Sequence, residues 1–410
     1  MLTLLTSFKV ARGVVFLAVL ALVAISCSDF LTSAPDDGDV FDAPLEGLTA
    51  AEQAAFVRGD AEFGRRFSPA TGLGPVFNNV SCISCHSGDG RGRLENSLHR
   101  IGSVADGFLG AIGGPQIQDK ATPGAHAEPI PTGVAVSVRL PPPVFGAGLI
   151  EAIPDAALIA LADENDANGD GISGRPNWTT SHEYVPATEP GGGAGPRIGR
   201  FGRKAQTPTI LQQTVEAYHQ DMGITSEFHP QENRNPMSPV PAENFDLAAD
   251  PEVPSATVLA VVHYLRTLAP PAAGAESAAR AEGKSLFTSV GCAQCHVPTL
   301  NTGLHAIAAL ANKPVTLYSD LLLHDMGDAL ADNRPDGGAS GREWRTTPLW
   351  GLRLMRQFLN GQAFLMHDGR ARTVEQAILL HGGEALRART AFAGLSVGQR
   401  ASLLDFVESR

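Results

Sequence analysis

Cysteine is scarce in this chain, with five among 410 residues. Four stand in two Cys-x-x-Cys pairs, Cys82 with Cys85 and Cys292 with Cys295, and the fifth is Cys27, so no pair is left for a structural disulfide. Aromatic residues reach only 6%. Positive charge is short as well: 31 Lys and Arg face 43 Asp and Glu, and the resulting net charge of −12 argues against nucleic acid as a partner. Long apolar runs are missing but for one. Gly13 to Ile25 is uncharged and preceded by Lys9 and Arg12, the pattern of a secretory signal rather than of a lasting membrane span.

What is present is concentrated in two stretches, Ser81-Cys82-Ile83-Ser84-Cys85-His86 and Gly291-Cys292-Ala293-Gln294-Cys295-His296. Both read Cys-x-x-Cys-His. In a c-type cytochrome the two thiols add across the vinyl groups of haem and the adjacent His supplies the proximal iron ligand. Zinc ribbons bring their two cysteine pairs close together and do not require His after each, whereas these pairs lie in opposite halves of the chain. A thioredoxin-like redox motif needs a strand-to-helix setting, which the surrounding Gly, Asn and Ser do not suggest. The expectation is two covalently bound haem c groups, whose flat apolar surfaces would offset the low aromatic content.

Export and haem point to one compartment. Cys27 follows Ala24-Ile25-Ser26, which resembles a bacterial lipobox, so residues 1–26 read as a signal peptide and Cys27 as a lipidation site; the alternative is an ordinary signal with an incidental Cys. Residues 27–50 then form a tether rich in Asp, Ser and Pro, and the protein sits on the periplasmic face of a bacterial membrane, held by lipid alone. Ala256 to Leu268 and Val397 to Val407 each carry apolar residues at helical spacing, and each follows one haem motif. The expected fold is mainly α: two cytochrome c-like haem domains, 51–270 and 276–410, divided at Pro270-Pro271-Ala272-Ala273-Gly274. The first is enlarged by long loops and short elements, among them Leu140-Pro141-Pro142-Pro143 and Gly191-Gly192-Gly193-Ala194-Gly195.

A haem iron with a strong sixth ligand carries electrons, and one with an open face can catalyse, so the distal ligands decide function. For the second haem the candidate is His381; a surface His near a Gly turn is the other reading, and Met355, Met366 and His367 compete. Asp166, Asn168 and Asp170 alternate ahead of Gly171 in the manner of a calcium loop, although Asn177 stands where an EF-hand has its bidentate Glu and Glu164 would have to assist. An Asx turn without any ion is the alternative. The only tryptophans, Trp178, Trp344 and Trp350, are candidates for bridging haems or for plain packing, and Arg345 and Arg370 for pairing with propionates.

LMHDGRARTVEQAI (365–378) resembles the C-terminal signature of the bacterial di-haem cytochrome c peroxidase superfamily. GLGPVFNNVSCISCHSGDGRG (72–92), GLIEAIPD (148–155), GDGISGRPN (169–177), GRFGRKA (199–205), DMGIT (221–225), YSDLLLHDMG (318–327) and EWRTTPLWG (343–351) together resemble one branch of it, the di-haem oxidoreductase family, sometimes labelled thiol oxidoreductases. The resemblance spans the mature chain. It implies that the second haem takes its distal ligand at a set distance after the His of the HDG signature, usually a Met; here His381 holds that place, giving a bis-His haem of lowered potential. It also implies a displaceable His shortly after the first motif, which His99 would be, with Met222, His126 or an open site as alternatives. Cleaving peroxide further needs a group to move a proton between its oxygens, for which Glu151 is the candidate and a capping or solvated Glu the bland reading. Family members also use calcium near the haem interface.

Together these point to an oxidoreductase reducing hydrogen peroxide or another small oxidant. Its electrons would come from a small donor protein, basic if charge selects it, or from a quinol-linked donor. The rivals are a non-catalytic di-haem electron carrier and an enzyme oxidising an organic or protein substrate. No unpaired redox Cys remains to support the thiol label.

Overall fold

Thr49 starts the first helix, α1 (Ala50–Phe63). Its hydroxyl accepts from the Glu52 amide at 3.3 Å while the Glu52 carboxylate accepts from the Thr49 amide at 2.7 Å, a reciprocal cap. Helix α2 (Ile210–Glu216) is capped by Thr209, and α3 (Ser255–Thr267) buries Val258, Val261, Val262 and Leu265, the spacing of one helical face. α1 crosses α3 at Gly59, where a Cβ would lie 2.2 Å from the Ala260 carbonyl oxygen. Only hydrogen fits there, and Phe56 and Phe63 close the crossing with ring centroids 4.9 and 5.3 Å from Tyr264.

The second half builds the same arrangement from α4 (Ala278–Ser289), α5 (Val374–Leu380), α6 (Leu386–Ala393) and α7 (Val397–Glu408). α4 crosses α7 at Gly283, where a Cβ would meet the Ser402 carbonyl oxygen at 2.1 Å, and Phe287 packs on Phe406 at 5.5 Å. In both halves a Phe one helical turn after the crossing glycine reaches the motif histidine: Phe63 lies 6.1 Å from His86 and Phe287 6.3 Å from His296. Each Cys-x-x-Cys-His turn is thus set against its own helix pair. The two closing helices, expected at 256–268 and 397–407, are α3 and α7.

The structure is a computed structural model that describes residues 38, 40–86, 88, 90, 92–241 and 244–410. Cys27, the signal segment and half of the expected tether lie outside the described residues; the rest of the tether is packed, with Phe41, Ala43 and Leu48 buried. No helix among those described is long and apolar enough to cross a membrane. The molecule is helix-rich with small sheets. The Pro- and Gly-rich stretch after His86 holds a three-stranded antiparallel sheet in which β1 (Leu98–Ile101) lies between β2 (Gln116–Ile117) and β3 (Val136–Arg139). In the second half β4 (Leu323–Asp325) pairs with β5 (Glu343–Arg345).

From Val40 onward the chain forms one compact unit. Leu354 packs in the core built around α1 and α3, and Leu140 packs in the core built around α4 and α7, so the two cores exchange side chains. A buried charge cluster joins them as well. Asp336 Oδ2 accepts from Arg139 Nη1 at 2.7 Å and Arg334 Nη1 at 2.8 Å, with Arg100 at 4.0 Å. These guanidiniums hold the carboxyl far below the usual carboxylate range.

Candidate functional site

Each motif opens into its own cavity. The first, about 200 Å³, is lined by Cys82, Cys85 and His86 and walled by Leu98, Leu140, Phe145, Val261 and Leu265; the second, about 220 Å³, is lined by Cys292, Cys295 and His296 with Phe287, Leu349, Leu365 and Leu403. By this measure one water occupies roughly 10–15 Å³, so each is sized for a large, mostly apolar group. The two cysteine pairs face different cavities, which removes a zinc site shared by all four thiolates. They form no disulfide, and burial pushes the thiols of Cys85 and Cys292 up to about 12.

The histidines are oriented alike. His86 Nδ1 lies 2.9 Å from the Pro142 carbonyl and His296 Nδ1 2.9 Å from that of Tyr318. A carbonyl only accepts, so Nδ1 carries the hydrogen and Nε2 keeps its lone pair. Burial pushes both rings down to about 4, which leaves them neutral at ordinary pH. His381, at the C-terminal end of α5, lines the second cavity too, with Nδ1 2.7 Å from the Ala377 carbonyl. The second cavity therefore presents two prepared Nε2 donors. Met326, Met366 and His367 also line it, but His367 is stacked on Trp344 at 3.7 Å; Met355 lies outside the lining.

The first cavity differs. His86 is its one histidine among the described residues, and its remaining wall includes Met222 and a polar group of Asn79, Gln116, Gln220 and Asp221. Gln116 Nε2 donates to Asp221 Oδ1 at 2.6 Å, and burial pushes the Asp221 carboxyl up to about 6. In the sequence this wall is signalled only by the family-like string DMGIT (221–225), in which Met222 reads as a ligand and Asp221 carries no mark of its partner Gln116. His99 does not reach the cavity. In β1 side chains alternate, Leu98 and Arg100 point inward, and His99 is turned to the other face. His126 is exposed.

The two cavities share a wall. Arg203 and Arg345 line both. Arg203 donates through Nε and Nη2 to the Leu140 carbonyl at 3.0 and 2.7 Å, and Arg345 donates through Nε to the Gly202 carbonyl at 3.2 Å. Arg345 is buried, forms no ion pair with a carboxylate among the described residues, and is pushed down to about 10 by desolvation. The Asp320 carboxylate partly offsets that burial, and a further anion in either cavity would be attracted to the same guanidinium.

Several expectations are corrected. Glu151 lines neither cavity: its carboxylate accepts from Arg266 Nε at 2.6 Å and from the Ile210 amide at 2.8 Å, capping α2. Glu151→Ala is expected to lower stability by about 3 kcal/mol, the low end for a broken buried ion pair because Glu189 still pairs with Arg266. Urea unfolding measures this, and chemistry per folded molecule should not change. Asp166, Asn168 and Asp170 turn their oxygens onto the loop's own amides, from Gly171 at 3.1 Å, Asp170 at 2.8 Å and Ile172 at 2.9 Å, the Asx-turn alternative. That loop nevertheless reaches the second cavity through Asp170 and Ile172. Trp344 lines the second cavity, Trp350 packs against Gly146 away from both, and Trp178 is exposed. Arg370 pairs with Asp368 outside both cavities.

Two solved structures align along most of the chain. One is a hydrazine synthase from Kuenenia stuttgartiensis pressurised with xenon, at 14% identity over 93% of this chain and 99% of that one, TM-score 0.37. The other is a MauG-like protein associated with microbial copper homeostasis, at 12% identity over 92% of this chain and 94% of that one, TM-score 0.38. Likeness at this level bears on neither site nor reaction. No curated protein matches the sequence. The family described as "Di-haem oxidoreductase, putative peroxidase" matches residues 28–100 and 123–410. With nearly the whole sequence matched, the chain belongs to the di-haem oxidoreductase family.

Proposed function

We propose that this is an exported, lipid-anchored c-type di-haem oxidoreductase with two haem domains that reduces hydrogen peroxide or another small oxidant. The residues fit the cofactor the family implies: two separate cavities, each with a thiol pair, a neutral His and apolar walls, plus one buried guanidinium facing both. Cys82 and Cys85, and Cys292 and Cys295, would hold the haems, with His86 and His296 as proximal ligands. Arg345 would meet a propionate by a charge-assisted hydrogen bond. Bound haem supplies one-electron redox chemistry that no side chain offers.

The observation that carries the reading is the contrast between the cavities. In the second, His381 lines the cavity together with His296 and would give its iron a second imidazole, which suits electron storage. In the first, Asp221 and its Gln116 partner furnish a proton-holding group beside His86, taking the role expected of Glu151.

Electron paramagnetic resonance of oxidised and half-reduced protein tests this. A bis-His signal from one haem and a peroxide-sensitive signal from the other are expected, and Asp221→Asn should slow peroxide consumption roughly 10²–10⁴-fold with haem content unchanged. Met222, buried in the first cavity, favours a second reading, an electron carrier with both irons six-coordinate. That reading holds if both ferric signals are low-spin, optical spectra show both irons still low-spin after reduction, and peroxide is not consumed.

A further inference from the structure

His324 lines the second cavity but takes no part in attachment or ligation. It is 4% exposed, and each of its ring nitrogens meets a carboxylate: Nε2 lies 2.8 Å from Asp320 Oδ2 and Nδ1 2.8 Å from Glu384 Oε2. Ionised carboxylates only accept, so both nitrogens carry hydrogen and the ring is an imidazolium. The surroundings agree, since these carboxylates raise its pKa well above the usual value in spite of burial.

The carboxylates belong to opposite sides of the site. Asp320 follows Tyr318, whose carbonyl orients His296, and the Asp320 amide donates to the Cys295 carbonyl at 3.0 Å. Glu384 stands three residues after His381 and accepts from Ser173 Oγ at 2.8 Å and from the Asp325 amide at 3.1 Å. Cys295 Sγ lies 3.7 Å from His324 Nδ1. One ring therefore joins the segment bearing the proximal groups to the segment bearing His381.

We propose that His324 is a positioning residue: a charged strut between Asp320 and Glu384 that holds His381 across the second site from His296 and sets the local charge there. This rests on the bis-His reading above. If His324 and Glu384 served only as packing, neutral isosteres would disturb the site in the same sense. A charged strut gives opposite senses, because His324→Gln removes a positive charge and Glu384→Gln a negative one.

The test uses full-length holoprotein near pH 8. Wild-type protein lacking a bis-His signal would refute the ligation reading and not the strut. Given that signal, both variants should keep two haems by pyridine haemochrome and lose part of the second haem's low-spin signal. The second midpoint potential should fall in His324→Gln and rise in Glu384→Gln. Should either fail to fold, Glu384→Asp shortens the strut with its charge kept, and is expected to weaken the low-spin signal at near wild-type potential. Shifts of the same sign, or an unchanged signal and potential in all folded variants, would overturn the proposal.

Discussion

Replacing Cys292 and Cys295 together with Ala is expected to leave one covalently held haem per chain in place of the proposed two. The pyridine haemochrome absorbance per polypeptide halves, and the haem that stays with the chain on a denaturing gel is the one at Cys82 and Cys85. The effect should be all-or-none for the second site because both attachment bonds there would come from this pair. The first site is spared because its own pair faces a separate cavity, set against α1 and α3. The reciprocal variant, Cys82 and Cys85 to Ala, gives the mirror result. Unchanged haem content in either would end the c-type assignment, and a zinc stoichiometry in place of the haem band would revive the metal alternative.

The largest stability loss is expected from Asp336→Ala, about 4–5 kcal/mol by urea unfolding at pH 7. Breaking a buried ion pair by deleting one partner costs roughly 3–5 kcal/mol, and here one carboxylate answers Arg139, Arg334 and Arg100 together. Arg334 is 1% exposed, so water cannot take the place of the lost anion. The pH dependence has a definite sign. Asp336 is depressed in the folded state, so its contribution is fully present above the unfolded value of about 3.9 and is lost as pH falls toward the folded value. Wild-type protein should therefore weaken below about pH 4, and the variant should show a flatter curve there. Equal stability of the two proteins at pH 7 would show that the cluster is not a net support.

Much of the site was readable because its chemistry is local in sequence. Cys-x-x-Cys-His is a contiguous string, and His381 and the closing helices α3 and α7 announce themselves by offset and periodicity. The helix crossings were not readable, since Gly59 and Gly283 look like weak points in a helix until a partner backbone is laid across them. Glu151 was misjudged for a related reason. A Glu in a family-like string carries no mark of whether Arg266, far along the chain, will pair with it. His99 failed on parity: one position earlier or later in β1 would have faced the cavity. Asp221 and His324 become visible only once β4, β5 and the loops fold around two cavities, because Gln116 and Glu384 are distant in sequence; Arg345, a propionate candidate from the start, gained from the fold its place on the shared wall.

The wall formed by Arg203 and Arg345 binds the fate of the two halves together. A gene cut at Pro270-Pro271 would yield one fragment with Leu140 offering its carbonyl to Arg203 beside an empty flank, and another with Arg345 facing water where the Gly202 carbonyl belongs. A cut there is expected to cost each fragment part of its cavity wall, so the two halves should fold better as one continuous chain than as separate pieces.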